Sequence, residues 1–304
     1  MKAVFLGTPD VAVPSLEALR DVAEVAAVIT QPDRPRGRSK TPRPPPVKDL
    51  AIELDIPVHQ PESSKEVAPM LRSIGGLDVA VIVAFGMLIR PEALTIPSRG
   101  FVNVHFSILP RWRGAAPVQR AIQAGDPVTG VTLMALDEGL DTGPIYSTRA
   151  TSLGPDETAG EVLERLSHTG ARHLGEVLPT IISGQVVATR QDDSSATHAA
   201  KVSSEERRLD LGETALTLAR TIHALSPAPG AYAALGDARF KVLRVRPSGR
   251  TSMAPGELGL YDGGLHMGTA TEALELLEVQ PSGKRAMSGR EWARGRHEAL
   301  GTLT

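Results

Sequence analysis

The sequence predicts an α/β protein in which a mostly parallel sheet domain precedes a smaller antiparallel β-barrel. Three observations predict it. Strand-like and helix-like apolar stretches alternate from Lys2 to Ala84, the order that builds a parallel sheet covered by helices on both faces. Periodicity fails between Ser183 and Ala200, where Gln191-Asp192-Asp193-Ser194-Ser195 is wholly polar, the profile of a linker. Beyond it lie short strand-like runs broken by glycine and proline, as in small barrels.

In chain order, Lys2–Leu6 reads as a buried first strand and Gly7-Thr8-Pro9-Asp10 as its turn. Val11–Leu19 has helical spacing, with Val11, Leu16 and Leu19 on one face. Val25–Thr30 is a second strand, and Val47–Leu54, Pro57–His59, Lys65–Leu71 and Asp78–Ala84 continue the alternation. Gly7 belongs to no G-x-G-x-x-G, so it reads as a tight turn, and an NAD-dependent oxidoreductase is disfavoured.

Gln31–Val47 breaks the pattern. Arg34, Arg36, Arg38, Lys40 and Arg43 run into Lys48 with no acid after Asp33, and Pro35, Pro42, Pro44, Pro45 and Pro46 oppose regular structure. A solvated surface loop explains most basic runs. Loops beyond about 12–15 residues inside compact domains, however, are usually functional or disordered, and a stiff cationic loop suits a phosphate backbone.

Phe101–His105 is the next strand, then Val118–Ala124 a helix, Thr129–Leu136 a strand and Thr158–Ile182 a long helix. After the polar stretch come a helix (Thr214–Leu225), a turn (Pro227–Tyr232) and strands at Arg239–Arg246, Gly256–Tyr261, Gly264–Met267 and Ala273–Val279. The domains expected are 1–186, with the basic loop 31–48 inserted, a linker 187–205 and a barrel 206–304. Arginines from Arg239 to Arg296 give the barrel a positive lean, which snorkelling surface side chains explain equally well.

A chain of 304 residues suits two domains, and 41% hydrophobic with 22% charged residues is a soluble globular composition. The absence of cysteine excludes disulfides, thiolate metal sites and a cysteine nucleophile. The longest apolar run, Val79–Ile89, falls short of the roughly 20 residues that span a bilayer, and the apolar run near Met1 is shorter than a signal peptide is expected to carry. A cytoplasmic protein with no membrane partner is expected. The net charge of −2 confines nucleic-acid contact to local patches.

Chemistry concentrates between Phe101 and Pro144. Asn103 and His105 are two apart on a strand and share a face. Gly139-Leu140-Asp141-Thr142-Gly143-Pro144 is a sharp loop carrying one carboxylate. When an amine attacks a carbonyl, negative charge grows on the oxygen, and an amide and an imidazole can donate to it. A carboxylate can orient the imidazole and accept a proton. No metal is required. The bland alternative stays open on residue types alone: a packed histidine, and an aspartate that caps its own turn.

Asn103-Val104-His105, Ser107-Ile108-Leu109-Pro110, Gly114 and the Gly139–Pro144 loop together resemble the formyl-tetrahydrofolate-dependent formyltransferase family. The likeness extends to Phe5-Leu6-Gly7-Thr8-Pro9-Asp10, Gln31-Pro32-Asp33-Arg34-Pro35, Arg111–Pro117, Lys201-Val202-Ser203 and Pro229-Gly230-Ala231-Tyr232, nearly end to end. The resemblance implies a Rossmann-like transferase domain and an OB-like barrel. It implies 10-formyltetrahydrofolate as formyl donor and, in the branch this chain most resembles, methionine on initiator tRNA as acceptor, with a monomer as the working unit. Asn103, His105 and Asp141 take the catalytic positions. Phe85, Gly86, Ser107, Ile108, Leu109 and Pro110 take the folate-contacting ones, and Arg34, Arg36, Arg38, Lys40 and Arg43 the tRNA-contacting ones. Phe106 departs from the proline common after the catalytic histidine, and Ser226-Pro227-Ala228-Pro229-Gly230 lacks a tryptophan usual there. Rival readings are a transferase acting on another amine, a formyl-tetrahydrofolate hydrolase, and an RNA-binding module on an inactive scaffold.

Overall fold

β1 (Lys2–Gly7) becomes a central strand because Ala3 to Leu6 are apolar on both faces, and all four are fully buried. The computed structural model describes residues 1–35, 41–296 and 300–304. After β1 come α1 (Val13–Val22), β2 (Glu24–Ile29), a ribbon of β3 (Arg34–Pro35) and β4 (Pro42–Arg43), α2 (Pro46–Glu53) and β5 (Val58–His59). Then follow α3 (Ser64–Ile74), β6 (Val79–Val83), α4 (Pro91–Leu94), β7 (Phe101–His105) and β8 (Arg113–Gly114). Next are α5 (Pro117–Ala124), β9 (Val128–Ala135), β10 (Ile145–Ser152), α6 (Ala159–Ile182) and β11 (His198–Ala199). The chain divides into two compact units that interleave in sequence: Met1–Gly114, Thr129–Thr151 and Leu163–His198 form one, and the intervening segments with Ala199–Thr304 form the other.

In the first unit the sheet order is β10-β9-β7-β6-β1-β2-β5. β1 pairs in parallel with β2 and β6, β2 with β5 and β6 with β7, while β9 returns antiparallel on β7. The mostly parallel sheet expected from the alternation, and Rossmann-like by the family resemblance, is the one observed. One face buries Val4, Leu6, Ile29 and Ile82 against Val67 and Leu71 of α3. Gly170 of α6 faces β7 and β9 so closely that a Cβ would stand 2.9 Å from Val104 Cγ1. Gly7 likewise answers to packing as well as to its turn, since a Cβ there would approach Phe5 and the Val83 carbonyl at 2.6 and 3.1 Å.

The sequence reading differs from the structure in several details of the first unit. β10 was not foreseen, because its residues are exposed or half-buried and carry little apolar alternation. The α-helix after β1 starts at Val13 rather than Val11, with Pro14 in its first turn, where no N–H is needed. The prolines of the basic segment do not exclude regular structure: Pro35 faces Pro42 across the β3–β4 ribbon, and Pro46 opens α2. Arg36, Arg38 and Lys40 lie outside the described residues.

The second unit packs α5 against α7 (Ala215–Leu225). It continues with β12 (Ala231–Leu235), β13 (Ala238–Pro247), β14 (Leu258–Tyr261), β15 (Gly264–Met267), β16 (Leu274–Pro281), β17 (Met287–Ser288) and α8 (Gly289–Arg294). The strands run β12-β13-β16-β15-β14, each pairing antiparallel, with β17 on β16. Residues 301–304 join the two outer strands. Ala234 and Thr304 exchange N–H···O bonds of 2.7 and 2.9 Å, and Leu303 N donates to Gly256 O at 2.8 Å. That last segment closes the sheet into the small barrel. Its core centres on Phe240, whose ring meets Trp292 of α8 edge-on at 4.8 Å, with Ile222, Leu265 and Met267 around them.

Candidate active site

β7 carries Asn103 between Ile82 of β6 and Met134 of β9. His105 lies two residues further on the same face, at the carboxyl end of the strand, where open α/β sheets bind their ligands. The neighbouring strand ends are tied together there. Thr8 Oγ1 donates to the Phe85 carbonyl at 3.0 Å, and Gln31 Nε2 donates to the same oxygen at 3.2 Å. Phe85 is buried and Gly86 adopts φ +79°, so the wall beyond β6 is backbone turned back on itself.

After His105 the chain folds over the end of β9. Thr132 Oγ1 donates to Ser107 O at 2.7 Å and accepts from Leu109 N at 3.2 Å, while Ser107 Oγ donates to Arg111 O at 2.7 Å. The Leu109–Pro110 peptide is cis. Ser107, Leu109 and Phe106 are buried, and Ile108 and Pro110 are half-buried.

The chain then brings a carbonyl to the histidine. Trp112, at φ +67°, places its oxygen 3.0 Å from His105 Nε2. A carbonyl only accepts, so Nε2 carries the hydrogen and Nδ1 is the nitrogen left for chemistry. Nδ1 faces Asp141 Oδ2 at 3.6 Å, with both side chains largely buried. Asp141 sits in the left-handed region at φ +54°, and the same Oδ2 accepts from Gly114 N at 2.8 Å. The flanking glycines are required by space: a Cβ on Gly143 would collide with the Ala135 carbonyl. The Asn103 amide makes no hydrogen bond among the described residues, so its donors can serve a ligand.

His105 and Asp141 are therefore brought together beside Asn103, with Phe85, Gly86 and the Ser107–Pro110 turn on the same end of the sheet. Arg34 and Arg43 are exposed and directly opposed across the β3–β4 ribbon. Lys48 is not part of a free basic run: its ammonium binds both Asp33 oxygens at 2.8 and 2.9 Å and Gln60 Oε1 at 2.8 Å. Lys48's two bonds to it first, and Gln60 Nε2 donating to Oδ1 at 2.7 Å next, hold the Asp33 carboxyl below its ordinary pKa. No group of three or more metal-ligating side chains occurs among the described residues.

The sequence reading missed one part of the site. Gln191, in the segment read as a linker, is buried and donates from Nε2 to Asp141 O at 2.9 Å and Gly143 O at 2.7 Å. Its Oε1 accepts from Arg113 Nε at 3.0 Å. A glutamine in a polar run carries no periodic signal. The Arg111–Pro117 segment quoted for the resemblance contains Arg113, the partner of Gln191, but nothing in it points to Gln191.

Residues 1–178 match the formyl transferase family and residues 201–297 its C-terminal domain. The chain belongs to the formyltransferase family. A methionyl-tRNA formyltransferase of Cutibacterium acnes is 45% identical, the match covering 99% of each chain. One from Streptomyces griseus is 42% identical over 100% of this chain and 99% of its own. Among solved structures, HypX from Aquifex aeolicus in complex with tetrahydrofolic acid matches 100% of this chain with a TM-score of 0.67 at 16% identity. This chain spans about half of that protein, 50% of its length. A sugar 3N-formyltransferase, WlaRD, matches 94% of this chain and 99% of its own at 17% identity and a TM-score of 0.66. These structural likenesses show the fold of the formyltransferase family.

Proposed function

We propose that this chain transfers the formyl group of 10-formyltetrahydrofolate to the α-amino group of methionine on initiator tRNA. The observation that carries the reading is the buried His105–Asp141 pair, 3.6 Å apart, beside the unengaged amide of Asn103 at the sheet's carboxyl end. Full-length relatives named methionyl-tRNA formyltransferase, 41–45% identical, support the choice of acceptor.

The amine nitrogen attacks the formyl carbon, and the electron pair of the C=O bond moves onto oxygen. Asn103 donates to that oxyanion, and His105 does so from Nδ1 when it carries a second proton, Nε2–H being spent on Trp112 O. Asp141 balances the charge of that imidazolium. The proton released by the attacking nitrogen passes through the pair to N10 of the donor. The C–N10 bond then breaks, leaving tetrahydrofolate and N-formylmethionyl-tRNA. Phe85, Gly86 and Ser107–Pro110 hold the donor. Arg34 and Arg43, with Arg36, Arg38 and Lys40 by sequence, hold the acceptor's phosphates. Opposing two cations on so short a ribbon is unfavourable on its own and suits a polyanion. The division into a transfer domain 1–186, a connecting segment 187–205 and a tRNA-holding barrel 206–304 belongs to the same proposal, as do a cytoplasmic site of action and a monomer. No helix among the described residues is long and apolar enough to cross a membrane.

The test compares formyl transfer to initiator Met-tRNA, elongator Met-tRNA and a small ribonucleotide amine, with formate release measured in their absence. Preference for the initiator is expected. Formate release that needs no acceptor would replace this reading with a hydrolase. Asn103→Ala is expected to lower kcat by about 10²–10³-fold, the loss typical of one oxyanion donor; turnover within a few-fold of wild type would overturn its role.

A further inference from the structure

The polar stretch from Gln191 to Thr197 reaches both halves of the catalytic pair. On the carboxylate side, Gln191 spends both amide hydrogens on the carbonyls of Asp141 and Gly143 and its oxygen on Arg113 Nε. Arg113 is itself buried, and its Nη2 is held by Asp193 Oδ1 at 2.8 Å. On the imidazole side, Thr197 Oγ1 accepts from Trp112 N at 2.9 Å, and Thr197 O accepts from Arg113 N at 2.9 Å. Those two bonds fix the peptides around the Trp112 carbonyl, to which His105 Nε2 donates.

A glutamine is the residue such a junction needs. Two carbonyls converge on one point and demand two N–H donors from one centre, while a guanidinium N–H beside them demands an acceptor. A primary amide on a long stem supplies both at once. A glutamate keeps the volume and the acceptor but turns an anion toward two carbonyl oxygens. Asp141 and Trp112, moreover, are both non-glycine residues at positive φ, conformations that persist only where the surroundings over-determine them. The 191–197 stretch supplies bonds at each.

We infer that Gln191 is a positioning residue for formyl transfer: through the Asp141–Gly143 carbonyls it sets the carboxylate against His105 Nδ1, and Thr197 sets the opposite side of the ring through Trp112. This rests on the reading of His105 and Asp141 as reacting groups. A group displaced by about 1 Å costs on the order of 10²-fold in rate without a matching loss of binding. The signature expected is therefore a fall in kcat with KM preserved.

The experiment uses the full chain, initiator Met-tRNA and 10-formyltetrahydrofolate in single-turnover and steady-state transfer. Gln191→Glu is expected to lower kcat by about 10–100-fold while both KM values stay within about twofold. Placed in an Asp141→Asn background it should add less than about twofold, because a residue that acts through Asp141 has nothing left to position. Equal losses in both backgrounds would mark general structural damage and overturn the inference, as would wild-type kcat in Gln191→Glu alone. Wild-type kcat in Asp141→Asn would remove the reading of the site, and this inference with it; a large loss there beside an active Gln191→Glu removes only the inference. Should Gln191→Glu fail to fold, Thr197→Val carries the test, with about a tenfold loss in kcat at unchanged KM expected and wild-type kcat overturning it.

Discussion

His105 shows how one neighbour decides what a side chain can do. Because a carbonyl accepts its Nε2–H, only Nδ1 is free to gain and lose a proton, and that nitrogen faces Asp141. The partner loop is equally constrained at Gly143. Gly143→Ala must push the loop off the Ala135 carbonyl, so a loss of about 1–3 kcal/mol in urea unfolding and of at least about 10²-fold in kcat is expected. Buried histidine also adds an acid-sensitive contribution to stability. His223 is buried with Nε2 3.1 Å from the Val245 carbonyl, and burial above all pushes its pKa below the ordinary value. The unfolded chain therefore takes up a proton near pH 6.5 that the folded chain refuses. This group's contribution to stability is fully present above that pH and falls below it, by up to about 1.4 kcal/mol per pH unit. His173, buried on α6, is shifted the same way by burial. Urea titrations at pH 7.5 and 5.5 should show a smaller acid loss in His223→Gln than in wild type. At this scale strand alternation and a glycine-flanked acid, both local patterns, marked Asn103, His105 and Asp141 as candidates, and the family resemblance singled them out from a packed histidine and a turn-capping aspartate. Gln191 was not legible, since its burial depends on where the chain returns long after β7.

Elements were legible where burial leaves an apolar signal, as a continuous run in β1 and β6 or as a stripe along a helix. α6 and α7 each bury one apolar stripe, and their expected spans meet the observed ones to within a residue. β10, with no fully buried residue, had no stripe to read. α8 had a signal that went unused: Ser288 and Glu291 form a capping box in which each side chain bonds the other's backbone. The closing segment at 301–304 had almost none, as a few residues carry no period. Its weight falls on Leu303, which is 2% exposed, donates from its backbone to Gly256 and bridges to Leu235. Leu303→Ala is expected to destabilise the protein by about 2–5 kcal/mol, read as a lower midpoint in urea. An unchanged midpoint would mean that the Leu303 side chain adds nothing to the barrel and that its closure rests on the backbone bonds alone.

Across the whole molecule, a net charge of −2 leaves a polyanion little to gain from the overall field, so binding must come from cations without internal partners. Many of the barrel's arginines have such partners. Arg244 pairs with Glu161 and Arg246 with Glu275, while Arg250 stands over the Tyr261 ring and 3.5 Å from Asp262. The positive lean of the barrel read from the sequence is thus partly neutralised, because pairing depends on cross-strand register that composition does not contain. Arg34 and Arg43 differ: both are exposed, and no acid pairs with either among the described residues. A cation that neutralises a phosphate releases counterions, steepening log K against log [salt] by about 0.9 per contact on duplex nucleic acid. The double variant Arg34→Gln, Arg43→Gln is therefore expected to weaken initiator-tRNA binding and flatten that slope by about 2. Arg246→Gln, which removes a cation already spent on Glu275, should leave the slope close to wild type. Filter binding between about 50 and 200 mM salt spans the range in which such a change is largest. Equal slopes for the ribbon variant and the wild type would remove the β3–β4 ribbon from the tRNA interface and shift attention to the barrel's remaining cations, Arg285 and Lys284 among them.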